Sequence, residues 1–397
     1  MRMECDVLVV GAGPAGLGAA ITSSKKGLKT ILVEKSSEIG YPVKSSAFTW
    51  KEVLEDWNLP DEVMYQWVDS FYIYSSPSKR EVEIDFGRLI GGSLNFHLFL
   101  QELAFQAIRH GSKIILGEGV SEPILDGDFV CGVKTDKGEI IAKVVIDCSG
   151  PSAAIAKKVD LIPRKEIKGI GFEYEMLNYK VRKQNAIDIY VGESIVPVGY
   201  AWVFPTGKDR ARVGVSTVFG IVGESEEEDR DIEYYENLFL SELSPIYERV
   251  KDAQSFEIHT GESPMTEMLE KPYANGLLVA GDAASQNSVL LGEGIRYALE
   301  FGKMAAETAF IAIKSGDLSE DCLKQYKEKC FEYMGEKFEV ATDLLIVPTD
   351  EYWESLVDGL ISLKERANLE LVLKYLKTDM TREDAIEIFP SFKGKYL

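Results

Sequence analysis

The sequence predicts an α/β protein: a parallel-sheet domain, interrupted by an antiparallel sheet and followed by a helical C-terminal region. Three observations predict it. A strand, a glycine turn and a helix open the chain; residues 168–220 alternate as strands do; and helical periodicity takes over from about residue 318. At 397 residues the chain exceeds one compact core, so two closely packed domains plus an appendage are expected. Apolar residues make up 45% and charged residues 27%, which fits a globular protein and excludes disorder or a fibre. A formal charge of −21 repels nucleic acid and anionic membrane surfaces alike. With no run of 18 apolar residues and no leader pattern, a cytoplasmic protein is expected. Cys5, Cys131, Cys148, Cys322 and Cys330 are scattered and read as small fillers, and His97, His110 and His259 are too dispersed to suggest a metal centre.

The opening unit is the most informative. Cys5–Val10 reads as a buried strand that feeds into Gly11-Ala12-Gly13-Pro14-Ala15-Gly16, followed by a helix ending near Gly27 and a second strand, Thr30–Val33, that stops at Glu34. This is a Rossmann-like dinucleotide turn in its required context. Gly11 makes the tight turn, Gly13 lets the backbone approach a pyrophosphate, and Gly16 permits close packing of helix on strand. The helix N-terminus offers free N–H groups to phosphate, and Glu34 is placed to accept ribose hydroxyls. NAD and FAD both satisfy this much.

Residues 276–295 separate them. Gly276–Ala280 reads as a strand, Gly281-Asp282-Ala283-Ala284 as a loop, and Gly292-Glu293-Gly294-Ile295 as a helix start. A carboxylate after a buried strand suits a ribityl chain, and a glycine-opened helix can aim N–H groups at a flavin carbonyl. At these residues the chain resembles the FAD-dependent reductase and hydroxylase superfamily that includes p-hydroxybenzoate hydroxylase, which implies an FAD-binding domain of the glutathione reductase type. The segment Val144–Gly150 fills the place of that superfamily's middle motif, although Asp147 serves equally well as a turn cap.

Pro197–Pro205 alternates as a strand, with Tyr200, Trp202 and Phe204 on one face. Pattern alone allows either an apolar substrate wall or ordinary packing. Tyr-x-Trp-x-Phe-Pro is similar to the motif of the geranylgeranyl reductases, as are Ile39–Lys44 and the Gly-Asp segment, and the resemblance covers roughly the first 315 residues. It implies reduction of isoprenoid C=C bonds. The apolar substrate would be a geranylgeranyl lipid or prenyl quinone, bound by Tyr200, Trp202 and Phe204. The cofactor set is Gly11, Gly13, Pro14, Ala15, Gly16, Glu34, Lys35, Ser45, Ser46, Val120, Gly281, Asp282, Gly292, Gly294 and Ile295; no catalytic residue or metal ligand is assigned. The reductant is open between NADPH, ferredoxin and another small carrier, and a transient membrane-surface contact is open as well.

Three positions depart from the family. Ser45-Ser46 stands where relatives place Cys-Gly, the loop Ser285–Leu291 lacks their proline and leads to Glu293 in place of a glycine, its side chain expected in solvent or capping the helix in preference to facing the flavin, and no arginine precedes the helix near Asn95-Phe96. The domains are expected at residues 1–70, 93–165 and 267–318 for FAD, 71–92 and 166–266 for substrate, and 319–397 for the helical region. Within these, Phe71–Tyr74 and Val82–Phe86 read as a hairpin, Glu224–Asp229 as a solvated helix start, and Leu356, Leu360, Ile361 and Leu363 as core packing in preference to a tunnel end or membrane contact. A flavin monooxygenase, a redox-neutral flavin-dependent cyclase or isomerase, and a non-catalytic FAD-binding protein use the same cofactor stations and stay open as alternatives.

Overall fold

A computed structural model describes residues 2–162, 167–219, 231–345 and 349–390. The acidic stretch Glu224–Asp229 lies outside them. The first sheet is built on five parallel strands in the order Leu277–Val279, Gly138–Asp147, Arg2–Val10, Thr30–Val33 and Lys113–Ile115. Val7, Leu8, Val9, Leu32, Val144, Val145 and Ile146 are fully buried, as expected of strands covered on both faces. Their C-terminal ends lead into the glycine turn, Glu34, the 147–152 turn and the Gly281–Asp282 turn, so the sheet gathers these loops at one edge.

Two helices hold that edge together. Pro14–Lys25 and Ile295–Ser315 cross in backbone contact, because each presents a glycine to the other. A Cβ on Gly302 would stand 2.0 Å from the carbonyl oxygen of Ala15, and one on Gly18 would stand 2.7 Å from that of Leu299.

The second sheet has seven strands, ordered Gln254–Pro264, Lys168–Leu177, Arg210–Phe219, Gly199–Pro205, Ala186–Val191, Ser70–Ser75 and Arg80–Asp85. The expected hairpin is its last pair. One junction differs from the antiparallel expectation: Ser70–Ser75 runs parallel to Ala186–Val191, because the two strands come from separate parts of the chain and no hairpin dictates their direction. A single register row crosses six strands, with His259, Glu173, Gly214, Trp202, Ile189 and Ile73 side by side. The C-terminal helices Asp350–Glu365 and Leu369–Leu376 cover the end of this sheet. There Glu354 takes hydrogen bonds from Ser75 and Arg80, and Asp358 pairs with Arg80 at 2.6 Å. Among the described residues no helix is long and apolar enough to cross a membrane.

A methyl group at Gly302 must push the two helices apart. Gly302→Ala is expected to cost about 1–3 kcal/mol in urea unfolding, the usual penalty of overpacking, and to weaken FAD binding in the same variant. Unchanged values would mean that the close crossing is not needed.

Candidate functional site

Between the two sheets lies a cavity of about 990 Å³, at the upper end for a small-molecule site. One side carries the cofactor residues expected from sequence. Gly11, Gly13, Pro14, Ala15, Glu34, Lys35, Ser45, Ser46, Val120, Asp282, Gly292, Gly294 and Ile295 all line it. Gly16 and Gly281 do not. A Cβ on Gly16 would lie 1.9 Å from the carbonyl oxygen of Gly11, and one on Gly281 would lie 2.8 Å from the Ala15 Cβ, so both serve close packing behind the wall.

FAD fits this side on three observations. First, a Cβ on Gly13 would meet nothing within 4 Å, leaving the room a pyrophosphate needs against the backbone. Second, Gly13 and Gly294 start their helices without side-chain caps, so both N-termini present unsatisfied N–H groups to the cavity. Third, the Asp282 carboxyl makes no hydrogen bond among the described residues, and burial lifts its pKa from 3.8 to about 6. A ribityl hydroxyl would supply the missing donor. Glu34 is held ready by the Ala12 and Ser36 amides, each donating to one carboxylate oxygen at 2.8 Å, with lone pairs left for ribose.

Asp147 resolves as a turn cap. Its carboxylate accepts from Ser149 N, Ser149 Oγ, Ile155 N and Ala156 N at 2.6–3.1 Å, which shapes the Cys148–Ser152 turn along the cavity wall. Glu293 is neither solvated nor a helix cap: its side chain is 8% exposed and forms a two-pronged ion pair with Arg296. Burial raises its pKa, with Arg296 pulling the other way. Arg296 in turn bonds the Lys377 carbonyl and Asp379, which fastens the helix start to the C-terminal region. At the position without arginine, Asn95 caps the helix Phe96–Arg109 by accepting from the Leu98 amide.

The other side of the cavity is mostly apolar, with Glu173 and His259 at its edge. Tyr200, Trp202 and Phe204 form a continuous wall, with ring centroids 5.6 and 6.1 Å apart. Tyr200 donates to the Leu291 carbonyl at 2.6 Å, joining this wall to the Gly292 loop. Trp202 leans across Gly214, where a Cβ would stand 2.6 Å from the indole, and donates its Nε1–H to Glu173 at 2.9 Å. Ile73, Ile187, Ile189 and Phe48 continue the lining.

The sequence reading missed several contributors. Trp353, Tyr375 and Leu376 from the C-terminal helices line the cavity, and so does Leu356, for which the sequence pattern favours core packing over a tunnel end. Helical periodicity finds such a face but not its partner. Arg212 was also missed. It is 2% exposed, pairs with Glu175 at 2.9 Å and donates to the carbonyls of Ser46 and Leu94, fixing the Ser45-Ser46 loop beside the cavity.

The Asp282 carboxyl binds its proton more tightly folded than unfolded, so stability of FAD-free protein falls as pH rises from about 4 to 6 and stays lower above that. Asp282→Asn is expected to gain about 2 kcal/mol above pH 6, nothing below pH 4, and to bind FAD more weakly; urea titrations at pH 3.5 and 7.5 check the sign. Gly214→Ala is expected to break the Trp202–Glu173 bond and cost about 2 kcal/mol, the penalty of overpacking, read by thermal unfolding and tryptophan fluorescence.

Residues 6–160 match the family model for FAD dependent oxidoreductases, and residues 168–261 match that for the geranylgeranyl reductase catalytic domain. The chain is 34% identical to a digeranylgeranylglycerophospholipid reductase of Methanocaldococcus jannaschii, over 96% of both chains. It is 31% identical to digeranylgeranylglycerophospholipid reductase 3 of Methanosphaera stadtmanae, over 94% of this chain and 96% of that one. A crystal structure of a geranylgeranyl bacteriochlorophyll reductase-like protein from Thermoplasma acidophilum superposes with a TM-score of 0.83 at 26% identity, covering 100% of this chain and 97% of the other. A flavin-dependent brominase shares the fold at 18% identity and a TM-score of 0.77. With the cofactor stations and the aromatic wall meeting in one cavity, the chain belongs to the geranylgeranyl reductase family of FAD-dependent oxidoreductases.

Proposed function

We propose that this protein hydrogenates the C=C bonds of geranylgeranyl chains on a glycerophospholipid. The observation that carries the reading is the continuity of the cavity: the FAD stations and the apolar wall line one and the same space, so a prenyl chain and an isoalloxazine ring can meet in it. The FAD-binding part would be residues 1–70, 93–165 and 267–318, and the substrate part 71–92 and 166–266.

Held by the Gly11–Gly16 turn, Glu34, Asp282 and the Gly292–Gly294 helix start, reduced FAD would supply the hydride for each double bond. The protein's own contribution is placement and electrostatics. Tyr200 and Trp202 present aromatic faces whose quadrupoles stabilise positive charge developing on the alkene. Trp353, Leu356, Tyr375 and Leu376 exclude water from the reacting carbons. Arg212 holds the Ser45-Ser46 loop against the cavity, where the loop would help hold the cofactor. The sequence carries one dinucleotide turn, so electrons come from NADPH, ferredoxin or another small carrier that binds transiently. A lipid substrate calls for a peripheral contact with the membrane surface.

Anaerobic mixing of the reduced holoprotein with digeranylgeranylglycerophospholipid tests the reading. Oxidation of the flavin and a product heavier by two hydrogens per double bond are expected. A product heavier by one oxygen and formed only in air supports a monooxygenase, and a product of unchanged mass supports a cyclase or isomerase. Trp202→Leu is expected to slow flavin oxidation by lipid about 10–30-fold, the equivalent of roughly 2 kcal/mol of lost cation–π stabilisation, measured by stopped-flow absorbance.

A further inference from the structure

Reduction of a double bond consumes a proton as well as a hydride, and the aromatic wall itself offers no acidic group to supply it. At the edge of the cavity wall, beside Trp202, a chain of ionisable groups leads outward. Glu173 and His259 both line the cavity and are 2–3% exposed. His259 Nδ1 lies 2.7 Å from Glu173 Oε1, while Glu173 Oε2 accepts the Trp202 indole N–H. His259 Nε2 makes no hydrogen bond, but the Glu257 carboxylate stands 3.3 Å from it, and that side chain is 40% exposed. From water to cavity the order is Glu257, His259, Glu173.

We propose that Glu257, His259 and Glu173 form a proton relay that carries the proton consumed with each reduced double bond from bulk water to the cavity wall. The inference rests on the reductase reading above. The atoms balance from an imidazolium beside an ionised Glu173: a hydride from bound FAD would form one C–H bond, and the second would form with the proton that His259 Nδ1 passes on through the Glu173 carboxylate. The imidazole, left neutral, turns its remaining N–H toward Glu173 and takes another proton on the bare nitrogen from Glu257, which exchanges with water.

The surroundings favour a charged imidazole. Glu173 and Glu175 on one neighbouring strand and Glu257 on its own face Arg210 and Arg212 on the next, three carboxyl groups against two guanidiniums. Glu236, on the helix Ile232–Leu240 packed against this sheet, is pushed well above the ordinary carboxylate range by burial and by the charge of Glu173. Burial of His259 opposes protonation, but the hydrogen bond and charge of Glu173 outweigh it, and the imidazole pKa is raised. Glu175, Glu257 and His259 also bring ligand atoms within 4.8 Å of one another. Arg212 at 2.9 Å and Arg210 at 3.3 Å from Glu175 already balance that carboxylate, so a cation is not needed there.

The test uses FAD-loaded protein under anaerobic conditions, with rates of flavin oxidation by digeranylgeranylglycerophospholipid measured from pH 5.5 to 9.5. In the wild type the rate is expected to fall with rising pH as His259 loses its proton. His259→Gln is expected to slow the reaction about 10²-fold, the low end of general acid catalysis, and to abolish that limb. Glu257→Gln, at an exposed position, is expected to slow it several-fold with FAD affinity and melting temperature unchanged. If both variants keep the wild-type rate and profile, the relay is overturned while the reductase reading stands; a wild type inactive on the lipid overturns that reading and the relay with it. Nitrogen-15 NMR of the wild type resolves its three histidines. A His259 signal titrating below the ordinary imidazole range overturns the relay without reference to turnover.

Discussion

The site depends on one contact above all, the crossing of Pro14–Lys25 over Ile295–Ser315 through Gly18 and Gly302. Residues 26–294 separate the two helices in sequence, yet their uncapped N-termini must face one cavity. Direct backbone contact sets that geometry with little freedom, since any side chain at the crossing would splay the helices. Once they are fixed, Asp282, Gly292 and Gly294 stand opposite the Gly11–Gly16 turn, and the remaining loops only complete the cavity.

A second constraint governs the substrate side. Along the row His259, Glu173, Gly214, Trp202, Ile189 and Ile73, glycine supplies the gap through which the Trp202 indole reaches Glu173. The bond gives the buried carboxylate a partner and fixes the plane of the ring. Trp202 is therefore both wall and clamp. Polar groups lie on one side of it and aliphatic ones on the other, so the same sheet can line an apolar chamber and carry ionisable groups out to solvent.

What the sequence revealed, and what it hid, follows the range of the interactions. The glycine turn, the strand ending at Glu34 and the period-2 alternation of Tyr200, Trp202 and Phe204 are local patterns, readable from neighbouring residues. The parallel pairing of Ser70–Ser75 with Ala186–Val191 joins segments more than a hundred residues apart, and no local rule sets its direction. Glu293 read as solvated or capping because its partners, Arg296 and the Lys377–Asp379 turn, become neighbours only after the C-terminal helices dock. His259 and Glu173 lie 86 positions apart, and neither carries a motif. Leu356 belongs to a recognisable apolar face, but its contact with the cavity depends on where the helix lands.

The most direct measurement is a crystal structure of the FAD-loaded protein with a fully saturated diphytanylglycerophospholipid, which occupies the site without reacting. One chain is expected along Trp202, Ile189 and Ile73, with the isoalloxazine ring between the Ser45-Ser46 loop and the Gly292–Gly294 helix start. A chain bound outside this cavity, or FAD bound away from the two helix N-termini, would contradict a shared chamber for cofactor and lipid.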